Sequence, residues 1–137
     1  MPKYKLDFEN EPDFELIGIC SPVADYRLCW ILNNFLGINL EKKQDFSTIN
    51  KKDKECSHSF YQFIHEDGTE FYLIKNLSSG FTHLVPEMNQ IDYFILLKNN
   101  VQAESSVLSD KLKQVDQFSV VMNIDPLELK SKENFMF

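Results

Sequence analysis

Leu84-Val85-Pro86-Glu87-Met88-Asn89-Gln90-Ile91-Asp92-Tyr93-Phe94-Ile95-Leu96-Leu97-Lys98 couples a proline-set turn and two carboxylates to the longest apolar run of the chain. In the apolar half, Ile91, Tyr93, Ile95 and Leu97 fall on one side of an extended chain. Phe94 and Leu96 fall on the other. A short run that is apolar on both sides, rich in β-branched and aromatic residues, predicts a strand covered on both faces, hence a central one. It is too short to span a membrane. In the polar half, Pro86 fixes φ and pushes Val85 towards an extended shape. Pro86-Glu87-Met88-Asn89 then reads as a turn. Asp92 is a carboxylate at the mouth of a buried strand, and such groups require hydrogen-bond donors or a cation.

The motif Val85-Pro86-Glu87, three residues, then Ile91-Asp92-Tyr93 resembles the signature of the IPExxxVDY family, small uncharacterised bacterial proteins. Leu16-Ile17-Gly18-Ile19, Asp25-Tyr26-Arg27-Leu28 with Trp30, and Lys130-Ser131-Lys132-Glu133-Asn134 look like the same family. The resemblance implies no activity, cofactor or catalytic residue.

The chain has 137 residues, enough for one domain with a real core. Its 43% hydrophobic and 26% charged content argues against disorder. The net charge of −7 and the single arginine, Arg27, make nucleic acid and anionic membrane poor partners. The first residues lack an apolar signal region, and Cys20, Cys29 and Cys56 do not suggest a disulfide framework. A reducing cytoplasm is the expected setting.

Alternation predicts strands at residues 3–9, 14–20, about 45–49 and 118–124. Gly18, in the second of these, invites a close approach to the backbone. Ser21-Pro22 predicts a helix start. Leu28, Ile31, Leu32, Phe35 and Leu36 give the apolar stripe of a helix over 22–36, and Gly37 its left-handed cap. Trp30 lies off that stripe. The plainer reading packs it under a neighbouring loop; the sharper makes it part of a second contact surface. Residues 50–55 are expected to form a loop. Asp67-Gly68 predicts a two-residue type I′ hairpin pairing Ile64 with Phe71 and Phe63 with Tyr72. Ser105 or Ser106 is the expected cap of a second helix buried through Val107, Leu108, Leu112 and Val115. Residues 126–137 form a tail whose Phe135, Met136 and Phe137 would dock on the chain's own sheet or on a second copy.

The predicted architecture is therefore a single α+β domain over residues 1–137, a mainly antiparallel sheet of about six or seven strands with two helices. Cys56-x-His58 is a weak metal signal, and no glycine-rich phosphate loop is present. No metal or cofactor is expected. Cys20 ends a strand ahead of a helix, where dipoles lower a thiol pKa, but no catalytic motif accompanies it. Glu87 and Asp92 are more readily structural than catalytic. Arg27 is expected to clamp one of them, tying the first helix to the turn. The candidate binding residues are Tyr26, Arg27, Trp30, Glu87, Asp92, Tyr93, Phe135 and Phe137. The favoured function is a non-enzymatic interaction or assembly module, a homo-oligomer using aromatic surface. The alternatives are a small-molecule-binding regulatory domain, with a pocket where the Val85–Tyr93 motif meets Tyr26 and Arg27, and an enzyme using the same carboxylates.

Overall fold

The computed structural model describes residues 14–49, 54–102 and 104–135. The strand expected at 3–9 and Phe137 lie outside the described residues, as does the 50–53 part of the expected loop. The described chain is an α+β domain. Strands β1 (Phe14–Cys20), β2 (Glu41–Lys42), β5 (Phe60–Ile64), β6 (Glu70–Lys75), β7 (Tyr93–Lys98) and β8 (Val120–Ile124) form one sheet in the order β2-β5-β6-β7-β1-β8. Strands β3 (Phe46–Ile49) and β4 (Glu55–His58) form a separate two-stranded ribbon. Every described pairing is antiparallel. The run that opens the sequence reading is β7, held between β6 and β1, with Tyr93 through Leu97 all buried.

Each face of the sheet has its own cover. Ile17, Ile19, Leu73, Tyr93, Ile95 and Leu97 meet helix α1 (Asp25–Leu36) and helix α2 (Ser105–Leu112). Leu16, Ile74, Phe94 and Leu96 meet Leu84, Val85 and Ile91 of the turn segment, and Leu129 and Phe135 of the tail. Helix α1 forms because Leu28, Ile31 and Leu32 recur at helical spacing and are buried together. Each fully buried leucine contributes about 1.5–3 kcal/mol of transfer free energy. Gly37 ends the helix at φ 67°, donating its N–H to Asn33 O at 2.9 Å. Gly18 is closely approached: a Cβ there would stand 2.9 Å from Ile124 Cδ1 and 3.2 Å from Ile91 Cδ1.

Several expectations need correction. Helix α1 starts at Asp25, with Ala24 as its N-cap, rather than at Pro22. The Ser21 hydroxyl donates to Gln117 O at 2.7 Å and accepts the Val23 N–H at 3.4 Å, ahead of the helix. The β5–β6 hairpin is shifted by one residue, pairing Ile64 with Glu70 and Phe63 with Phe71. Its loop has three residues, because His65 N–H donates to Thr69 O and Gly68 N–H to His65 O, with Gly68 at φ 94°. Phe71 and Leu73 therefore share a face with Tyr61 and Phe63, not with Phe60 and Ile64.

Glu55 belongs to β4, not to the loop. In α2 the N-cap is Glu104, and Val107 is exposed while Ser105 and Ser109 are buried. A remote carboxylate, Glu15 Oε1, accepts the Ser105 N–H at 3.0 Å. Along β8 the alternation fails: Val120 is exposed, and Val121 and Ile124 are buried on opposite faces of an edge strand.

Candidate functional site

The turn segment is held from beneath by Asn76, one residue past β6 and fully buried. Its Nδ2 donates to Met88 O at 3.0 Å and Ile91 O at 2.8 Å, and its Oδ1 accepts Val85 N–H at 2.9 Å. Its backbone donates to Asp92 O and accepts from Leu84 N–H. One amide thus satisfies three main-chain groups of a segment that no strand pairs. Pro86–Met88 forms a 3-10 turn above it, closed by Met88 N–H donating to Val85 O. Sequence reasoning did not single out Asn76. An amide immediately after a two-sided apolar strand was the available signal.

The two motif carboxylates are structural joints with different partners. Asp92 Oδ2 accepts the Ser21 N–H at 2.8 Å, where β1 runs towards α1. Glu87 accepts from Ser131 N–H at 2.8 Å and Ser131 Oγ at 2.7 Å, fastening the turn to the tail. Partial burial pushes the Glu87 carboxyl up, but the Ser131 hydroxyl and nearby backbone N–H groups outweigh it and hold the group below its ordinary value. The expected Arg27 clamp is absent: Arg27 is exposed and pairs with no carboxylate among the described residues. The sheet secures the start of α1 with shorter polar groups instead. Tyr93 Oη donates to Val23 O at 2.7 Å, and Tyr61 Oη donates to Asp25 Oδ2 at 3.0 Å.

A cleft of about 350 Å³ opens where β6 ends, β7 begins and the chain enters α1. Lys75, His83, Asp92 and Tyr93 line it, together with Val23, Leu77 and Ile91. This is not the pocket expected at Tyr26 and Arg27: Asp92 is in its wall, but Tyr26, Arg27 and Glu87 are not.

On the outer side of α1, Tyr26 and Trp30 stand one turn apart and are 73% and 62% exposed. Trp30 does not pack under a loop, which overturns the plainer reading. Beside it runs an open groove lined by Trp30, Ile31, Asn34, Phe35, Gln114, Val115 and Gln117. None of these residues is charged, in a chain that is 26% charged. A third exposed aromatic, Phe81, sits at φ 62° and was not anticipated. Ser78 holds its turn, accepting the Phe81 N–H on O and the Gly80 and Thr82 N–H groups on Oγ.

Other candidates are occupied by structure. Phe135 is fully buried, 5.3 Å from the Phe94 ring and 5.7 Å from Phe14, so it is core and not contact surface. Cys20 Sγ donates to Gln90 O at 3.2 Å, and burial and then the Asp92 charge raise its thiol pKa, the reverse of activation. Cys56 and His58 are both buried on one side of β4. His58 Nδ1 meets Lys75 O at 2.8 Å and so carries the proton; Nε2 then accepts from Thr48 Oγ1 at 3.2 Å. His83, remote in sequence, is near enough to His58 to lower its pKa. No group of three or more His, Cys, Asp or Glu able to hold a metal occurs among the described residues.

No known protein family matches this chain, and no curated protein matches it either.

Proposed function

We propose that this chain is a non-enzymatic assembly protein that binds a second copy of itself through the outer face of α1. The observation that carries the reading is Trp30, 62% exposed on the rim of an uncharged groove. Interface centres are depleted in charge and enriched in tryptophan and tyrosine, and both kinds of residue stand on this face. With a net charge of −7, two copies repel over most of their surface. The groove beside Trp30, whose lining carries no charge, is where they meet at least electrostatic cost. The patch also offers both a projecting ring and a depression, which is what a two-fold contact requires. The Glu87 carboxylate, both of whose oxygens are held by Ser131, and the raised Cys20 thiol lend an enzymatic reading less support. We infer a reducing setting from the three free cysteines.

Trp30 is the only tryptophan, so its fluorescence reports on this face alone. Emission is expected to move to shorter wavelength as protein concentration rises, and Tyr26→Ala is expected to displace that shift to higher concentration. Emission that stays at the solvent-exposed position at every concentration contradicts the proposal.

A further inference from the structure

The cleft beside the motif is a separate feature, on the end of the sheet where β6 gives way to β7. Two opposite charges face it. Lys75 stands on the last residue of β6, directly across from Tyr93, and Asp92 is the residue before Tyr93. They do not neutralise each other: among the described residues Lys75 Nζ has no carboxylate oxygen within 4 Å. Asp92 gives one oxygen to Ser21 N–H, and no bond among the described residues occupies the other. His83 lies on the same wall, fixed by its backbone bridge to Leu77. The rest of the wall sets apolar Val23, Leu77 and Ile91 beside polar Ser21 and Asn89.

A lysine and an aspartate that share a cavity without touching leave room for a group of each sign between them. At about 350 Å³ the cavity lies near the lower end of small-ligand sites, about 300–1,000 Å³. A dianion would be repelled by Asp92, and a simple cation by Lys75. The geometry points to a small zwitterion of the amino-acid type as the occupant of this cleft. Its carboxylate meets Lys75 and His83, its ammonium meets Asp92, and an aliphatic side chain lies on Leu77 and Ile91. Charge-assisted bonds of this kind are the strong ones, and both are needed to fix the ligand's orientation.

The test uses the full chain labelled with ¹⁵N and three probes: L-leucine, N-acetyl-L-leucine and L-leucinamide. L-leucine at millimolar concentration is expected to shift backbone amides at Ser21, Leu77, Asp92 and their neighbours, saturably. Each single-charge analogue is expected to bind about tenfold or more weakly. Lys75→Met is expected to weaken L-leucine and N-acetyl-L-leucine while sparing L-leucinamide. Asp92→Asn, which keeps an acceptor for Ser21 N–H, is expected to show the converse. The absence of shifts at the cleft overturns the proposal. So does equal binding of the three probes, or an affinity that neither substitution changes.

Discussion

Asp92 Oδ2 accepts the backbone N–H of Ser21 across a gap of 71 residues, at 2.8 Å. This bond joins the central strand to the connection that leads into α1. It replaces the expected guanidinium clamp, so the joint depends on a carbonyl-like acceptor at position 92 and not on the charge of Arg27. Asp92→Asn is therefore expected to leave stability nearly unchanged, and Asp92→Ala to cost about 1 kcal/mol for the lost bond. Arg27→Ala is expected to fall within about 0.5 kcal/mol of the parent. Urea unfolding of the three variants checks the order, and a large loss for Arg27→Ala would restore the clamp.

Asn76 carries more. Asn76→Ala leaves the Val85 N–H and the Ile91 carbonyl without their Asn76 partner in a buried site, while the Met88 carbonyl keeps the Ile91 N–H. Each orphaned group costs about 1–3 kcal/mol, so a loss of about 2 kcal/mol or more is expected. Asn76→Asp is expected to be at least as damaging at neutral pH, since a carboxylate oxygen would face both carbonyls where the amide donated. Thermal denaturation compares the two, and a variant as stable as the parent would refute the anchoring role.

His58 makes stability depend on pH in a defined window. Burial lowers its pKa from 6.5 and the neighbouring His83 adds to this; hydrogen bonding to the Lys75 and Asn76 backbone and the Asp45 charge oppose it without prevailing. The folded state therefore holds fewer protons than the unfolded state as pH falls below 6.5. The contribution is fully present above that value and is lost as pH falls through the depressed folded value. The lowered Asp25 and Glu87 carboxyls act further into acid, because their ordinary values are 3.8 and 4.5. Between these ranges, His58→Gln is expected to flatten the fall in melting temperature with decreasing pH. An unchanged slope would remove His58 as its source.

Periodicity made the central elements legible. The two-sided apolar run gave β7 its place inside the sheet, Phe14–Cys20 emerged at its observed ends, and Gly37 ended α1 as a left-handed cap should. The misses share a physical cause, which is competition from partners far along the chain. Ser21 looked like a local cap, but its hydroxyl is oriented by Gln117 O, 96 residues on, and the helix begins four residues later. Glu15 took over the start of α2 from 90 residues away. The hairpin failed differently. Asp-Gly suits a two-residue turn and also the last two places of a three-residue one, and the one-residue change exchanged the faces of a strand. Of the candidate site, Asp92 and Glu87 read as more readily structural than catalytic, and the backbone partners they bond were not foreseen. A backbone N–H such as that of Ser21 or Ser131 leaves no mark in a sequence.

The tail illustrates the same limit. Its aromatic residues were expected to dock, and Phe135 does so between Phe14 and Phe94 of its own chain. That docking withdraws Phe135 from any contact with a partner and leaves the α1 face as the exposed aromatic surface nearest an uncharged groove.

Light scattering on the size-fractionated protein, kept reduced, tests self-association most directly. The parent chain is expected to show a mass near twice 16.1 kDa, and Trp30→Glu a mass near that of one chain, with its circular dichroism unchanged. A parent that remains a single chain at every concentration, or a Trp30→Glu variant that keeps the parent's doubled mass, would contradict an assembly face on α1.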